Sequence, residues 1–165
     1  MGDGIDTLGA CLAVKRELLE ELVMLLDRER EMIVRLNAAG LEEERANKAD
    51  IIARLEGAKT DCKKALADAV QEAGLPCDAT LSHLAAAVEP RRGATLSAAR
   101  ARIVELIDTL NRSNRRNRDL LYGSLRMVNR SLEFYNKSLG CADTYCGSGR
   151  MVSRVSGGRL LSGEI

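Results

Sequence analysis

Few residues in this 165-residue chain are of a type that does covalent chemistry, and their spacing limits what each can do. The only histidine, His83, lies in a short stretch, Asp78 to Val88, with no carboxylate spaced to orient its imidazole as a general base. It reads as a surface or partly buried residue. Cys141 and Cys146 lie close together near the C-terminal end. A zinc site takes about four ligands, and no second cysteine pair or histidine stands near them. Gly147-Ser148-Gly149 follows no strand and opens no helix, so it lacks the setting of a phosphate-cradling loop. Glu42, Glu43 and Glu44 read as a solvated helix start, where acidic side chains suit the positive end of the helix. The expectation is a protein that is not an enzyme and that uses neither a metal nor a cofactor.

The segment LNRSNRRNRDLLYGSL (residues 110–125) offers non-covalent chemistry instead. Arg112, Arg115, Arg116 and Arg118 could neutralise phosphates. Against a nucleic-acid partner stand an isoelectric point near 7.6 and an aromatic content of 2%, which leaves few rings on which bases could stack. The alternative is that these arginines complement an acidic helix of the same chain. Residues 1–89 carry 11 Lys and Arg against 18 Asp and Glu, a net −7, while residues 90–165 carry 14 against 6, a net +8. Asn114 and Asn117 fall on the apolar line of the same segment. A buried amide left unpaired costs roughly 1–3 kcal/mol. Asparagines on such a line either fix the register of a helix pair or face water until a partner arrives.

The elements that position these residues are helical. Ala, Leu, Glu and Arg dominate, Pro occurs twice and Trp not at all, a composition of long helices. The predicted class is all-α: an elongated antiparallel bundle or coiled coil of three long helices, one short linker helix and a flexible C-terminal tail. The predicted helices run over about 7–37, 41–73, 78–88 and 95–139, giving a bundle over 1–139 and a Gly/Ser-rich tail over 140–165. In the first, Leu12, Leu19, Leu26 and Ile33 recur every seventh residue beside Cys11, Val14, Leu18, Leu22, Leu25, Met32 and Leu36, a face wide enough for two neighbours. Asn37-Ala38-Ala39-Gly40 reads as its stop. The second carries many small residues (Ala58, Cys62, Ala69, Ala73), which allow a close antiparallel neighbour. Gly74-Leu75-Pro76 and Pro90-Arg91-Arg92-Gly93 read as breaks, and Asp78 or Thr80 as the cap between them. The last stripe is Ile103, Ile107, Leu110, Asn114, Asn117, Leu121, Leu125, Val128, Leu132, Tyr135 and Leu139, ten steps in 36 residues. Gly123 interrupts it at a cost of roughly 1 kcal/mol relative to alanine. A kink or the close approach of another helix would account for it.

No basic stretch followed by an apolar run opens the chain, and no segment reaches the roughly 20 apolar residues of a membrane span. Five scattered cysteines suggest no disulfide framework. The expected location is the cytoplasm, with thiols reduced. Because the last helix is the longest, one rod must overhang. If its C-terminal part does so, the stripe from Leu121 to Tyr135 stays wet and marks a surface for another helix.

Three stretches resemble the FlgN-type flagellar export chaperones. LNRSNRRNRDLL is similar to that family's Asn-x-x-Asn-x-x-Leu-Leu segment, matched by Asn114, Asn117, Leu120 and Leu121. KADIIARL (Lys48 to Leu55) resembles its Lys-x-x-Leu-Leu-x-x-Leu stretch. TYCGSGRM (Thr144 to Met151) is similar to its Thr-x-Tyr-Gly-x-x-Gly block, with Thr144 directly before Tyr145 and Cys146 intervening before the glycine. The resemblance implies a cytoplasmic chaperone for the C-terminal helical region of hook-associated proteins, which prevents premature assembly and delivers the clients to the export gate. It implies a client surface that includes Asn114, Asn117, Leu121, Leu125, Val128, Leu132 and Tyr135. Tyr145 becomes the residue that docks on the cytoplasmic domain of the gate. The sequence also allows a homodimer. The competing readings are a structural coiled-coil adaptor or scaffold and an Arg-rich nucleic-acid-binding helical protein.

Overall fold

A computed structural model describes residues 3–138, together with the backbone of residues 139–140, 144–145 and 151–152. The order is α1 (Asp3–Val34), α2 (Ala38–Glu72), α3 (Leu81–Ala87), α4 (Pro90–Gly140), β1 (Thr144–Tyr145) and β2 (Met151–Val152). The class is all-α, as expected: three long helices and a short one. The two-residue strands pair antiparallel, Thr144 opposite Val152 and Tyr145 opposite Met151. The chain divides into two compact units, residues 1–121 and 122–165. The division falls inside α4, whereas the sequence placed a boundary at 139/140.

In the first unit α1 and α2 run antiparallel. Arg28 meets Glu44 at 2.9 Å, Lys48 meets Glu29 at 3.1 Å and Arg54 meets Glu21 at 3.4 Å. The small residues of α2 let this happen: Ala58, Cys62, Ala65 and Ala69 are buried, against leucines of α1 such as Leu8, Leu12 and Leu19. α4 lies along the same seam through Leu96, Ile103 and Leu106. It runs parallel to α1, since Arg92 pairs with Asp6 and Arg102 with Glu20. Leu84 of α3 is fully buried at the end of this core. A wide α1 face with two long neighbours was the expectation, and both neighbours are there.

Two helix boundaries differ from expectation for stated chemical reasons. Asn37 does not merely end α1. Its N–H donates to the Met32 carbonyl at 2.9 Å, and its side chain accepts from the Gly40 N–H at 3.0 Å, so it caps α2 as well. Gly40 is therefore helical, and the left-handed residue of the turn is Leu36, with φ of 53°. Its N–H donates to the Ile33 carbonyl, so the two bonds close α1 in the 6→1 and 5→2 pattern that normally uses glycine. Gly74, with φ of 65°, takes the same place at the end of α2. A left-handed leucine costs roughly 1–2 kcal/mol, and glycine adds about 0.5–1 kcal/mol of unfolded-chain entropy. Since the Leu36 side chain is exposed and little burial is lost, Leu36→Gly is expected to stabilise the protein by about 0.5–1 kcal/mol. Urea unfolding checks this, and a lowered midpoint would contradict it.

The second boundary is the start of α4. Pro90 to Gly93 was expected to break the chain, but α4 starts at Pro90. Proline suits a first helical position, where its missing N–H has no helical partner to lose. The Gly93 N–H donates to the Glu89 carbonyl at 2.9 Å, so the turn is already closed.

Candidate functional site

The geometry begins with the buried row of α4. Leu96 and Ile103 are buried, Leu110 half-buried and Asn117 buried, each seven residues after the last, and Leu106 stands on the companion row with Ala99, Ser113 and Leu120 half-buried. A seven-residue repeat wraps slowly around its neighbours as a coiled coil does. The expected line kept Ile103, Leu110 and Asn117 of this row but set its alternate members one residue beyond the companion row. Ile107, Asn114 and Leu121, which it included, are all exposed.

Only one of the two asparagines is therefore buried, and its amide is occupied. Asn117 Nδ2 donates to the Leu26 carbonyl at 2.7 Å and to Glu29 Oε2 at 3.0 Å. Lys48 Nζ donates to Glu29 Oε1 at 3.1 Å. Asn117, Glu29 and Lys48 thus join α4, α1 and α2 through one polar node. Asn117, expected at the client surface, is 3% exposed, and its amide reaches α1. Its role is to set where α4 sits on α1.

Beside the node lies a cleft of about 400 Å³, contained in the first unit. Glu29 and Ile33 of α1 form one wall; Asn111, Asn114, Arg115, Arg118 and Leu121 of α4 form the other, with Asn117 at the base. The expectation that the arginines complement the acidic helices fails here. Among the described residues, α1 carboxylates facing α4 pair with Arg92 and Arg102, whereas Arg112 donates to the Thr109 hydroxyl at 3.2 Å and Arg118 approaches only its neighbour Asp119 at 3.9 Å. Arg112, Arg115, Arg116 and Arg118 all remain exposed.

Leu121, Leu125, Val128, Leu132 and Tyr135 follow one another by four, three, four and three residues, and they are 39–61% exposed. An apolar row at helical spacing, wet along its length, is unlike the isolated apolar residues of an ordinary surface. Met127 and Phe134, also exposed, stand off this row and were missed by following a single stripe. Glu29 and Ile33 were missed as site residues too. Glu29 had a faint signal: it stands seven residues after the buried Leu22, on a row that reads Leu8, Lys15 and Leu22 before it. Tyr145 pairs through its backbone with Met151, and its side chain lies outside the described residues, as do Cys141, Cys146 and Gly147 to Gly149.

The remaining reactive groups have structural work. His83 completes a capping box for α3: its N–H donates to Thr80 Oγ1 at 3.4 Å, and its Nδ1 accepts from the Thr80 N–H at 3.3 Å. The imidazole takes the place usually held by Glu or Gln. Burial, helped by the adjacent Cys11, pushes the Cys62 thiol up, which suits a packing residue and not a nucleophile. Among the described residues no three His, Cys, Asp or Glu side chains are grouped to hold a metal ion, and no helix is long and apolar enough to cross a membrane.

Compared with known proteins, residues 1–153 match a family model described as FlgN protein. No curated protein and no solved structure matches the chain.

Proposed function

Because the chain belongs to the FlgN family, we propose that it is a cytoplasmic flagellar export chaperone that captures the C-terminal helical region of hook-associated proteins and passes it to the export gate. The observation that carries this reading is the row Leu125, Val128, Leu132 and Tyr135, solvent-facing at helical spacing on α4. An amphipathic client segment laid along it would bury both apolar faces, and the client could not assemble while held. The client orders as it binds, and that entropy cost limits affinity and keeps release easy. No covalent step or nucleotide enters. Asn117 positions α4, Asn114 and Leu121 stand at the cleft, and Tyr145 contacts the cytoplasmic domain of the gate.

Co-purification with a full-length hook-associated protein from the same genome tests the assignment. L125D/L132D is expected to reduce capture at least tenfold while thermal unfolding of the helical core stays unchanged, because both leucines are exposed. Undiminished capture would remove the stripe from the client site. In the same assay Tyr145→Ala should retain the client yet weaken binding to the gate's cytoplasmic domain. Equal loss of both would move the tail into the client site.

A further inference from the structure

The cleft beside Asn117 has a charge that the fold does not use. Glu29, its one acidic wall residue, is already held by Lys48 at 3.1 Å and by the Asn117 amide at 3.0 Å. Arg115 and Arg118 bring two guanidiniums with no cross-helix carboxylate among the described residues, so the cleft keeps a positive excess. Guanidinium forks bind carboxylates in a bidentate manner. Asn111 and Asn114, four and one residues before Arg115, add amides that both donate and accept, which suits exposed peptide groups. Ile33 and Leu121 supply apolar contact at the same opening.

We propose that this cleft is a carboxylate-recognition site, which takes an Asp or Glu side chain of the docked client segment between Arg115 and Arg118. The proposal rests on the chaperone reading and deepens it: the cleft gives the position of one acidic residue of the client. A nucleic acid fits less well. No aromatic side chain lines the cleft for a base to stack on. The walls hold one small anionic group and an adjoining apolar side chain, not a backbone of repeated charges.

Calorimetry with the full chain and the hook-associated protein that co-purifies with it tests this at 50 and 300 mM NaCl. For the unaltered chain, affinity is expected to fall with salt. R115Q/R118Q should bind about 10–100-fold more weakly at 50 mM, equivalent to about 1.4–2.7 kcal/mol, and should lose most of the salt dependence. R112Q/R116Q removes the same charge from the same helix outside the cleft and should change affinity less than threefold. Both pairs are exposed, so far-ultraviolet circular dichroism melts should coincide with that of the unaltered chain. The proposal is overturned if R115Q/R118Q binds within twofold of the unaltered chain, or if the two double variants weaken binding equally, which would mean a diffuse field and no site. A single-stranded 20-nucleotide RNA that competes with the client through Arg115 and Arg118 would overturn it in favour of nucleic acid. If the client binds no variant and not the unaltered chain either, the chaperone reading falls first and the cleft's assignment with it. Loss of binding in L125D/L132D alone would leave the chaperone reading intact and overturn only the cleft.

Discussion

Asn117→Ala lowers stability by about 2–3 kcal/mol, measured as the urea midpoint of the full chain at unchanged slope. The side chain at this position donates to two acceptors on α1, one of them charged. A hydrogen bond to a charged group contributes about 1.5–3 kcal/mol, more than a neutral one. Alanine leaves Glu29 Oε2, on a side chain only 19% exposed, without its amide donor. Lys48 still donates to both Glu29 oxygens, at 3.1 and 3.3 Å, which keeps the cost below that of an unpaired buried charge. Asn117→Leu separates packing from polarity. Leucine extends the buried row Leu96, Ile103, Leu110 and regains apolar contact, so it should be less destabilising than alanine while still removing the amide donor to Glu29. It also removes a buried polar group that favours a single register of α4 on α1, as a lone polar residue does in a coiled coil. A loss below about 0.5 kcal/mol for Asn117→Ala would mean that water replaces the amide at no cost, and that the node does not fix α4.

The helices themselves were legible because their signals are local. Apolar spacing marked α1, α2 and α4, and Thr80 marked α3 through a cap that acts within three residues. The exact seam of α4 was legible only in part: the row Ile103, Leu110 and Asn117 was on the expected line, but its companion row could lie three or four residues further on, since Leu106 and Ile107 are both apolar. The expected line took the second choice, Ile107, Asn114 and Leu121, all exposed, where the fold half-buries Ser113 and Leu120 behind Leu106. The partner of Asn117 was out of reach as well, since Glu29 is 88 residues away. Only the oddness of a charge one heptad beyond Leu22 hinted at it. Bulk charge misled in a different way. A net −7 facing a net +8 says that attraction exists, but which carboxylate meets which arginine depends on facing positions. Asp6 and Glu20 face Arg92 and Arg102, and the arginines from 112 to 118 find no such neighbours among the described residues. That residue of unmatched charge is the part of the candidate site that composition pointed to without locating.

Gly93→Ala and Gly123→Ala, the same substitution in the same helix, are expected to have opposite signs. A Cβ on Gly93 would run into the backbone carbonyl oxygen of Ala85 in α3 and would lie 3.7 Å from Val88 Cγ2. The clash is with main chain, which cannot rotate aside. Nor can α3 retreat freely, because Leu84 is fully buried beneath it and anchors it to the core. Overpacking of this kind costs about 1–3 kcal/mol. If α3 lifts instead, exposing Leu84 forfeits a similar burial term, about 1.5–3 kcal/mol. Alanine's better helix propensity returns at most about 1 kcal/mol, so the net is a loss of about 1–2 kcal/mol in urea unfolding, with amide exchange rising first over residues 81–93. At Gly123 a Cβ meets nothing within 4 Å. There the propensity term stands alone, and slower amide exchange around residue 123 should report about 1 kcal/mol of added local stability. Destabilisation at Gly123 would contradict the open space around it. Tolerance at Gly93 would show that α3 yields, and the fit of α3 against the first turn of α4 would then not be what required glycine.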